Sequence, residues 1–194
     1  QGAKVLDFGA AKAVTLRKVY ADRKDIIPHV FDVSEDYRSH WTSWIDEENQ
    51  ATYELPKSWH GKFDIITAHF VVEHVEEPVQ ILKDLAQCLA PNGKLFFSIP
   101  DPIGNSGDLL VADHRNQFTE VSLQKAIALS GLKAEHISQS DFRGAHCVVA
   151  TLNDGEGIEP DDTEVKKTVS DASEKLDFWA SILQKVEDHP NAAI

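Results

Sequence analysis

The sequence predicts an α/β protein with an open, mainly parallel, seven-stranded sheet flanked by helices. Short apolar runs alternate with helical segments, which is the pattern of strands joined by crossover helices. Polar residues and glycines follow the apolar runs, where such a sheet turns back into a helix. With 194 residues, of which 42% are hydrophobic, the chain is long enough for one domain with a substantial core.

The first half of the sheet is predicted from four apolar or β-branched runs, and the chain between them from helical patterns. The runs are Lys4–Phe8, Ile26–Phe31, Ala51–Glu54 and Phe63–Ala68. Helices are predicted over Ala10–Tyr20 and Ser34–Ile45. Ser34 has a hydroxyl that can cap the second helix.

The second half begins with a helix over Pro78–Leu89, since proline is favoured in the first turn. A turn at Asn92-Gly93 and a long loop over residues 103–117 flank the next strand. Thr119 is expected to cap a helix that ends before Gly131. The remaining predicted strands are Lys94–Ile99, Lys133–Ser138 and Ala145–Leu152.

Residues 153–160 read as a polar linker, and residues 161–194 as a long C-terminal helix. Its apolar stripe has heptad spacing and comprises Val165, Val169, Ala172, Leu176, Trp179, Leu183 and Val186. We expect this helix to lead to a further domain and to pack on its own domain or on a second copy, which would form a homodimer. The chain begins at Gln1 rather than Met, which indicates a piece of a longer protein.

Composition excludes several partners. The net charge is −13, with 32 acidic against 19 basic residues, so nucleic acid and anionic membrane surfaces are poor partners. No apolar run approaches the ~20 residues of a membrane span, and no signal peptide opens the chain, so we expect a cytoplasmic protein. Cys88 and Cys147 form no motif, and we predict neither a disulfide framework nor a metal site.

The candidate site is predicted from the sheet itself. Ligands of open α/β sheets bind beyond the carboxyl ends of the strands. There Asp7 ends the first strand, and Gly9 opens a turn in which backbone can approach an anionic group at a helix N-terminus. Asp32 ends the second strand, where a carboxylate can accept hydrogen bonds from a ribose diol. The alternative is an ordinary core turn followed by a surface aspartate.

A longer signature starts in the fourth strand. It runs through Glu73-His74-Val75 and Pro78 to Ala90-Pro91-Asn92-Gly93, and ends at Ile99-Pro100. With the first turn and Asp32, it resembles class I S-adenosylmethionine-dependent methyltransferases over residues 3–152. The resemblance implies a Rossmann-like fold with S-adenosylmethionine as the cofactor. The cofactor-binding residues that it implies are Asp7, Gly9, Ala11, Asp32, Val33, Glu54, Ala68 and His69.

The loop from Asp108 to Thr119, which contains Asp113-His114, is similar to a loop of methyltransferases that modify nucleotide-linked sugars, including sugar C-methyltransferases. This resemblance implies a small-molecule acceptor, in its finer form a nucleotide-linked sugar. Those enzymes often have a zinc module before this domain and another Rossmann-like domain after it. The chain has neither, so it would correspond to their central domain.

Methylation of a hydroxyl or a carbon requires removal of a proton, which histidine can accept near neutral pH. His114 is the first candidate base, with Asp113 holding its ring or sharing the task, and His74 is the second. The alternative for His74 is that it packs against the cofactor. Glu73, with the acids after it, is expected to be a solvated helix start.

The first turn departs from the family pattern of D-x-G-x-G-x-G. Ala11 and Ala13 replace the later glycines, and alanine adopts positive φ at a cost. A second hypothesis is therefore a non-catalytic relative with a degenerate cofactor turn that serves assembly or regulation. A dinucleotide dehydrogenase is a third hypothesis, disfavoured because G-x-G-x-x-G is missing.

Overall fold

In the computed structural model, which describes residues 2–155 and 173–185, seven strands form one sheet in the order β3-β2-β1-β4-β5-β7-β6. The pairs from β3 through β5 are parallel, while β7 is antiparallel to both of its neighbours. The strand order reverses beside β1, between β2 and β4. The prediction of a Rossmann-like, mainly parallel seven-stranded sheet with flanking helices is confirmed.

The element bounds follow the predicted order. The strands are β1 Lys4–Phe8, β2 Ile27–Asp32, β3 Gln50–Thr52, β4 Phe63–His69, β5 Leu89–Pro100, β6 Leu132–Ser138 and β7 Ala145–Leu152. The α-helices are α1 Val14–Asp22, α2 Pro78–Cys88 and α3 Glu120–Leu129. Short 3₁₀ helices cover Glu35–His40, Glu47–Asn49, Lys57–Trp59 and Ser106–Leu110.

Two apolar cores lie against the sheet. The larger contains α2, α3 and the centre of the sheet, including Leu6, Phe63, Leu82 and Phe97, all fully buried. The smaller lies under α1 and contains Leu16, Val30 and Trp41. Buried apolar surface contributes ~25 cal/mol per Å² to the free energy of folding. The two cores therefore hold the sheet in place and, with it, the edge from which the polar loops extend.

Helix α1 begins later than predicted. Ala11 and Ala13 both have positive φ, at 45° and 50°, and helical hydrogen bonding cannot begin until the chain leaves this conformation. The predicted start at Ala10 is therefore wrong by four residues, because the turn after β1 is longer than the apolar pattern suggests.

The predicted helix over Ser34–Ile45 is wrong. Ser34 accepts a hydrogen bond from the backbone N–H of Asp36, as a cap should, but the chain continues as a 3₁₀ helix and then as turns. Trp41 lies wholly in the smaller core and donates its indole N–H to the carbonyl of Ala11, over 2.8 Å. This long-range anchor outweighs the local helical preference.

Strand β5 begins at Leu89 rather than Lys94. Phe63 pairs with Leu89 and Ile65 with Lys94, so the predicted turn at Asn92-Gly93 is a bulge within the strand. A side chain at Gly93 would overlap the carbonyl of Phe63, which makes glycine necessary there.

The predicted linker and C-terminal helix are described only in part. Residues 153–155 precede the undescribed segment, and residues 173–185 are helical. Trp179 donates its indole N–H to the carbonyl of Ser106, over 3.0 Å, so this helix contacts the loop after β5. Leu176 and Leu183 of the predicted stripe are exposed. Its other members, Val165, Val169, Ala172 and Val186, lie outside the described residues.

Across residues 2–155 and 173–185, no helix combines the length and apolar character needed to cross a membrane.

Candidate active site

Two cavities meet at the carboxyl ends of β1, β2 and β4, the position that the sheet topology predicts. The large cavity has a volume of about 750 Å³ and a mostly apolar wall that includes Phe8, Gly9, Asp32, Val33, Glu54 and His74. The small cavity has a volume of about 360 Å³ and is lined by Asp7, Gly9, Ala11, Lys12, Tyr37 and His69, among others. Gly9 lines both cavities and lies where they join.

Gly9 is required at this junction. Its φ is 69°, and a Cβ there would overlap the side chain of Val71. The backbone N–H groups of Gly9 and Ala10 both donate to the carbonyl of Phe31, which fixes the turn against β2. The turn therefore packs closely against Val71, and Gly9 presents its backbone to both cavities.

Asp7 lies in the small cavity and is almost fully buried. Burial raises the pKa of its carboxyl from 3.8 to about 6, opposed by a hydrogen bond from the Thr67 hydroxyl and reinforced by the charge of Asp32. A ligand ammonium in this cavity would stabilise the carboxylate that burial disfavours.

Asp32 is already engaged by the chain. One carboxylate oxygen accepts from the N–H of Ala11 at 2.8 Å, and the other from the N–H of Ser34 at 3.2 Å. Each oxygen retains a second lone pair, so a ribose diol can still donate to it. Val33 and Glu54 lie on the same wall of the large cavity.

The last two predicted cofactor residues differ in position. Ala68 is fully buried in the larger core and lines neither cavity. His69 lines the small cavity, its Nδ1 lies 3.2 Å from the Ser98 hydroxyl, and burial lowers the pKa of its imidazole.

The three predicted catalytic residues lie together, but their pairing is not the expected one. His114 bonds Asp108 through Nδ1 at 2.5 Å, and Asp108 is nearly inaccessible to solvent. Asp113 instead faces His74, whose Nδ1 lies 3.1 Å from its carbonyl and 3.5 Å from its carboxylate. The two imidazole rings stand edge to face, 4.7 Å apart. The expectation that Asp113 holds His114 is wrong, because the loop turns the two side chains in different directions.

Asn116 brings these histidines together. Its side-chain amide donates to the carbonyl of Val75 at 2.7 Å, and its backbone N–H donates to the carbonyl of Glu73 at 3.1 Å. The loop after β4 is thereby joined to the loop before α3. Sequence reasoning missed both Asn116 and Asp108, because no periodic pattern relates an irregular loop to a segment some forty residues earlier.

Glu73 is not a solvated residue. Its side chain is 1% exposed, and neither carboxylate oxygen has a hydrogen-bond partner among the described residues. Burial raises the pKa of its carboxyl, while its own backbone N–H and then the nearby His74 and His114 lower it. Glu73, His74 and His114 each place one potential ligand atom within 4.8 Å of the others.

Comparison with known proteins agrees with this architecture. A family model described as a methyltransferase domain matches residues 1–137. The ubiquinone biosynthesis O-methyltransferase of Xanthomonas oryzae pv. oryzae is 28% identical over an alignment of 102 residues, and the match covers 50% of this chain and 43% of that protein. The chain thus matches less than half the length of this curated relative.

Solved structures share the fold. A S-adenosylmethionine dependent methyltransferase from Mesorhizobium loti superimposes with a TM-score of 0.60 at 18% identity, covering 77% of this chain and 90% of that one. The trans-methyltransferase CalH, solved as a complex with SAH, superimposes with a TM-score of 0.60 at 18% identity. The match covers 78% of this chain and 51% of that one.

Fold and site together resemble those of methyltransferases that depend on S-adenosylmethionine, such as the one from Mesorhizobium loti. The chain belongs to the methyltransferase domain family. The residues present fit that cofactor: Gly9 presents its backbone to both cavities, Asp32 has lone pairs for a ribose, and Asp7 is a buried carboxyl suited to an ammonium.

Proposed function

We propose that this domain transfers a methyl group from S-adenosylmethionine to a small-molecule acceptor. The observation that carries the proposal is the pair of imidazoles, His74 and His114, each backed by an aspartate, beside the apolar cavity that adjoins the cofactor turn. Such a pair can act on a proton of the acceptor at the place where the acceptor would meet the methyl group.

The cofactor supplies an electrophilic methyl group on a sulfonium when it is bound. Gly9 and Asp32 would orient its ribose, and Asp7 would bind its ammonium group. Lys12, at the mouth of the small cavity, would attract its carboxylate. These contacts contribute by alignment, the main requirement of an in-line displacement.

His114 would act on the acceptor. Because Nδ1 is bonded to Asp108, its proton is assigned to that nitrogen, which leaves the lone pair of Nε2 able to accept another. The buried Asp108 carboxylate stabilises the imidazolium that results.

The finer acceptor class that we propose is a nucleotide-linked sugar, supported by the similarity of the Asp108–Thr119 loop to that of sugar-modifying methyltransferases. The excess of acidic residues supports a small molecule rather than a nucleic acid. We place the protein in the cytoplasm, with a homodimer through the C-terminal helix as a further element of the proposal.

Calorimetry with S-adenosylhomocysteine tests the cofactor site. Asp32→Ala should weaken binding by about 1–3 kcal/mol, because a charge-assisted hydrogen bond is lost. Asp36→Ala, which removes an exposed acid from the following turn, is the matched control and should bind normally. Equal affinity of the two variants would contradict the placement of the ribose.

Turnover with candidate acceptors tests His114. Replacing it with alanine should lower the rate ~10²–10⁴-fold with little change in cofactor affinity. His136→Ala serves as the control, because His136 is an exposed histidine near Asp141, outside both cavities. A near-native rate of His114→Ala would eliminate the assigned role.

A second candidate, a non-catalytic domain that serves assembly or regulation, is favoured by one observation. The backbone N–H of Ala11 donates a hydrogen bond to the carboxylate of Asp32, in a turn where Ala11 and Ala13 adopt positive φ. If the cofactor does not enter this turn, the unmodified protein will not bind S-adenosylhomocysteine, so the same calorimetric experiment separates the two functions.

A further inference from the structure

We propose that Glu73, His74 and His114 bind a divalent cation of the zinc type, which in turn binds a hydroxyl oxygen of the acceptor. The inference rests on the proposed function, because it assigns a role to the same cluster of side chains. It goes beyond that function in naming a metal site and in restricting the acceptor to a molecule with a hydroxyl group.

Glu73 is the observation that points to a ligand. A carboxyl buried without any hydrogen bond costs several kcal/mol as a rule, yet both oxygens of Glu73 lack a partner among the described residues. Its carboxylate is nonetheless close to two imidazoles. A cation between them would give the carboxylate the partner that residues 2–155 and 173–185 do not provide.

Both imidazoles have the outer partners typical of metal ligands. Histidines that bind metals almost always donate their second ring N–H to a carboxylate or a backbone carbonyl. His114 does so to Asp108, and His74 to the carbonyl of Asp113 with its carboxylate nearby. Each ring therefore has Nε2 free for a cation.

The geometry requires a modest contraction. The three donor atoms lie within 4.8 Å of one another, whereas bonds of ~2.1 Å in a tetrahedral site separate ligand atoms by about 3.4 Å. His74 is the mobile member, because its side chain is 39% exposed and can rotate toward the other two.

The ligand types select the metal. Two imidazoles and one carboxylate suit Zn²⁺ and other transition metals better than Mg²⁺ or Ca²⁺, which prefer oxygen ligands. Three protein ligands leave the fourth position open, as in catalytic zinc sites. That position would be filled by the acceptor oxygen.

A cation at this position changes how the acceptor loses its proton. The lone pair of His114 would then hold the metal instead of accepting the proton, and the positive charge would lower the pKa of the hydroxyl so that its proton is released to water. The new bond joins that oxygen to the methyl carbon. The bond that breaks joins the methyl carbon to sulfur, which keeps the electron pair.

Titration calorimetry with Zn²⁺ on the metal-stripped full chain tests the site directly. We expect one tight ion per chain. Affinity should fall at least tenfold in Glu73→Gln, a variant that preserves side-chain volume, and 10- to 100-fold in Asp108→Asn, which removes only an outer partner. His136→Gln removes an exposed histidine near Asp141 and should leave the tight site unchanged.

The outcomes are distinguishable. Absence of tight binding, or equal binding by wild type, Glu73→Gln and His74→Gln, overturns the inference, and His74→Gln covers the case in which Glu73→Gln does not fold. S-adenosylhomocysteine binding is measured on the same samples. Cofactor binding without zinc binding refutes the metal site alone, whereas tight zinc binding that depends on Glu73, without cofactor binding, refutes the proposed function alone.

Discussion

Positive φ at Ala11 and Ala13 is the residue-scale feature with the clearest energetic consequence. An alanine in the left-handed region costs ~1–2 kcal/mol relative to the ordinary helical region, and glycine avoids most of that cost. Ala13 is buried in the smaller core and would lose packing, whereas Ala11 is half-buried. Ala11 is therefore the better position for replacement.

We predict that Ala11→Gly raises the free energy of unfolding by about 0.5–1 kcal/mol, after allowance for the greater freedom of glycine in the unfolded chain. Ala10→Gly is the control: its φ is not positive, so the same change should destabilise the protein. Chemical denaturation measures both. A destabilised Ala11→Gly variant would show that the methyl group of Ala11 has a packing role.

Asp7 should give the protein a specific pH dependence. Its pKa is raised from 3.8 to about 6, so the folded state binds more protons than the unfolded state between these values, and stability falls as pH rises through that window. We predict that the free energy of unfolding of wild type, relative to that of Asp7→Asn, falls by about 3 kcal/mol between pH 3.5 and pH 7 (~1.4 kcal/mol per pKa unit). Denaturation of both proteins at the two pH values measures this.

His29 adds a pH dependence of its own, which is why wild type is compared with Asp7→Asn. Burial between Trp59 and Phe63 lowers the pKa of His29 from 6.5 to about 4, so its contribution to stability increases as pH rises through that range. As pH rises, the loss of stability due to Asp7 and the gain due to His29 oppose each other in the unmodified protein. The contribution of His29 is the same in wild type and in Asp7→Asn, so it cancels when the two free energies of unfolding are subtracted. A difference that stays constant with pH would contradict the buried state of Asp7.

At the residue scale, the sequence predicted which residues belong to the candidate site better than it predicted which side chains they contact. Asp7, Gly9 and Asp32 were found because the ends of parallel strands must meet at one edge. Asp108 was passed over for Asp113, which adjoins His114 in sequence, and Glu73 was taken for a surface acid. Neither error could be corrected without the fold, because burial and pairing in irregular loops depend on what packs over them.

At the scale of elements, the two loops that meet at Asn116 decide whether the histidines are neighbours. We predict that Asn116→Ala lowers turnover at least tenfold, since the hydrogen bonds of its amide to the loop after β4 are lost and His114 moves away from His74. Cofactor affinity should remain, because Asn116 lines neither cavity.

Gln117→Ala is the matched control for Asn116, because it removes an exposed amide from the next position of the same loop. Steady-state kinetics and calorimetry on both variants separate a loss of turnover from a loss of binding. Equal turnover of the two variants would mean that the backbone alone holds the loops together.

The elements also show where local patterns were sufficient. The α2 and α3 helices begin as predicted, at a proline and at Thr119, because start signals and apolar spacing agree. The segment after Ser34 was misjudged because one buried tryptophan, bonded to a carbonyl thirty residues earlier, outweighs the preference of its neighbours.

On the scale of the whole molecule, the helix over residues 173–185 leaves large apolar side chains in water. Leu176 is 50% exposed and Leu183 is 58% exposed. We predict that a double substitution to glutamate converts a dimer to a monomer in analytical ultracentrifugation, while the thermal stability of the sheet domain changes little.

Trp179→Ala provides the comparison, because it removes the hydrogen bond to Ser106 within one chain. It should change how the helix contacts its own domain rather than introduce charge into the exposed stripe. If sedimentation of the double glutamate variant equals that of wild type, the stripe is not an interface between copies.

The bond from Trp41 to Ala11 gives the cofactor turn a spectroscopic reporter. The chain has four tryptophans, so a ¹H–¹⁵N spectrum resolves at most four indole signals. That of Trp41 comes from a proton bonded to the turn carbonyl. Its chemical shift should therefore follow any ligand that moves the turn, and a titration can be read from a single isotope-labelled resonance without attaching a probe.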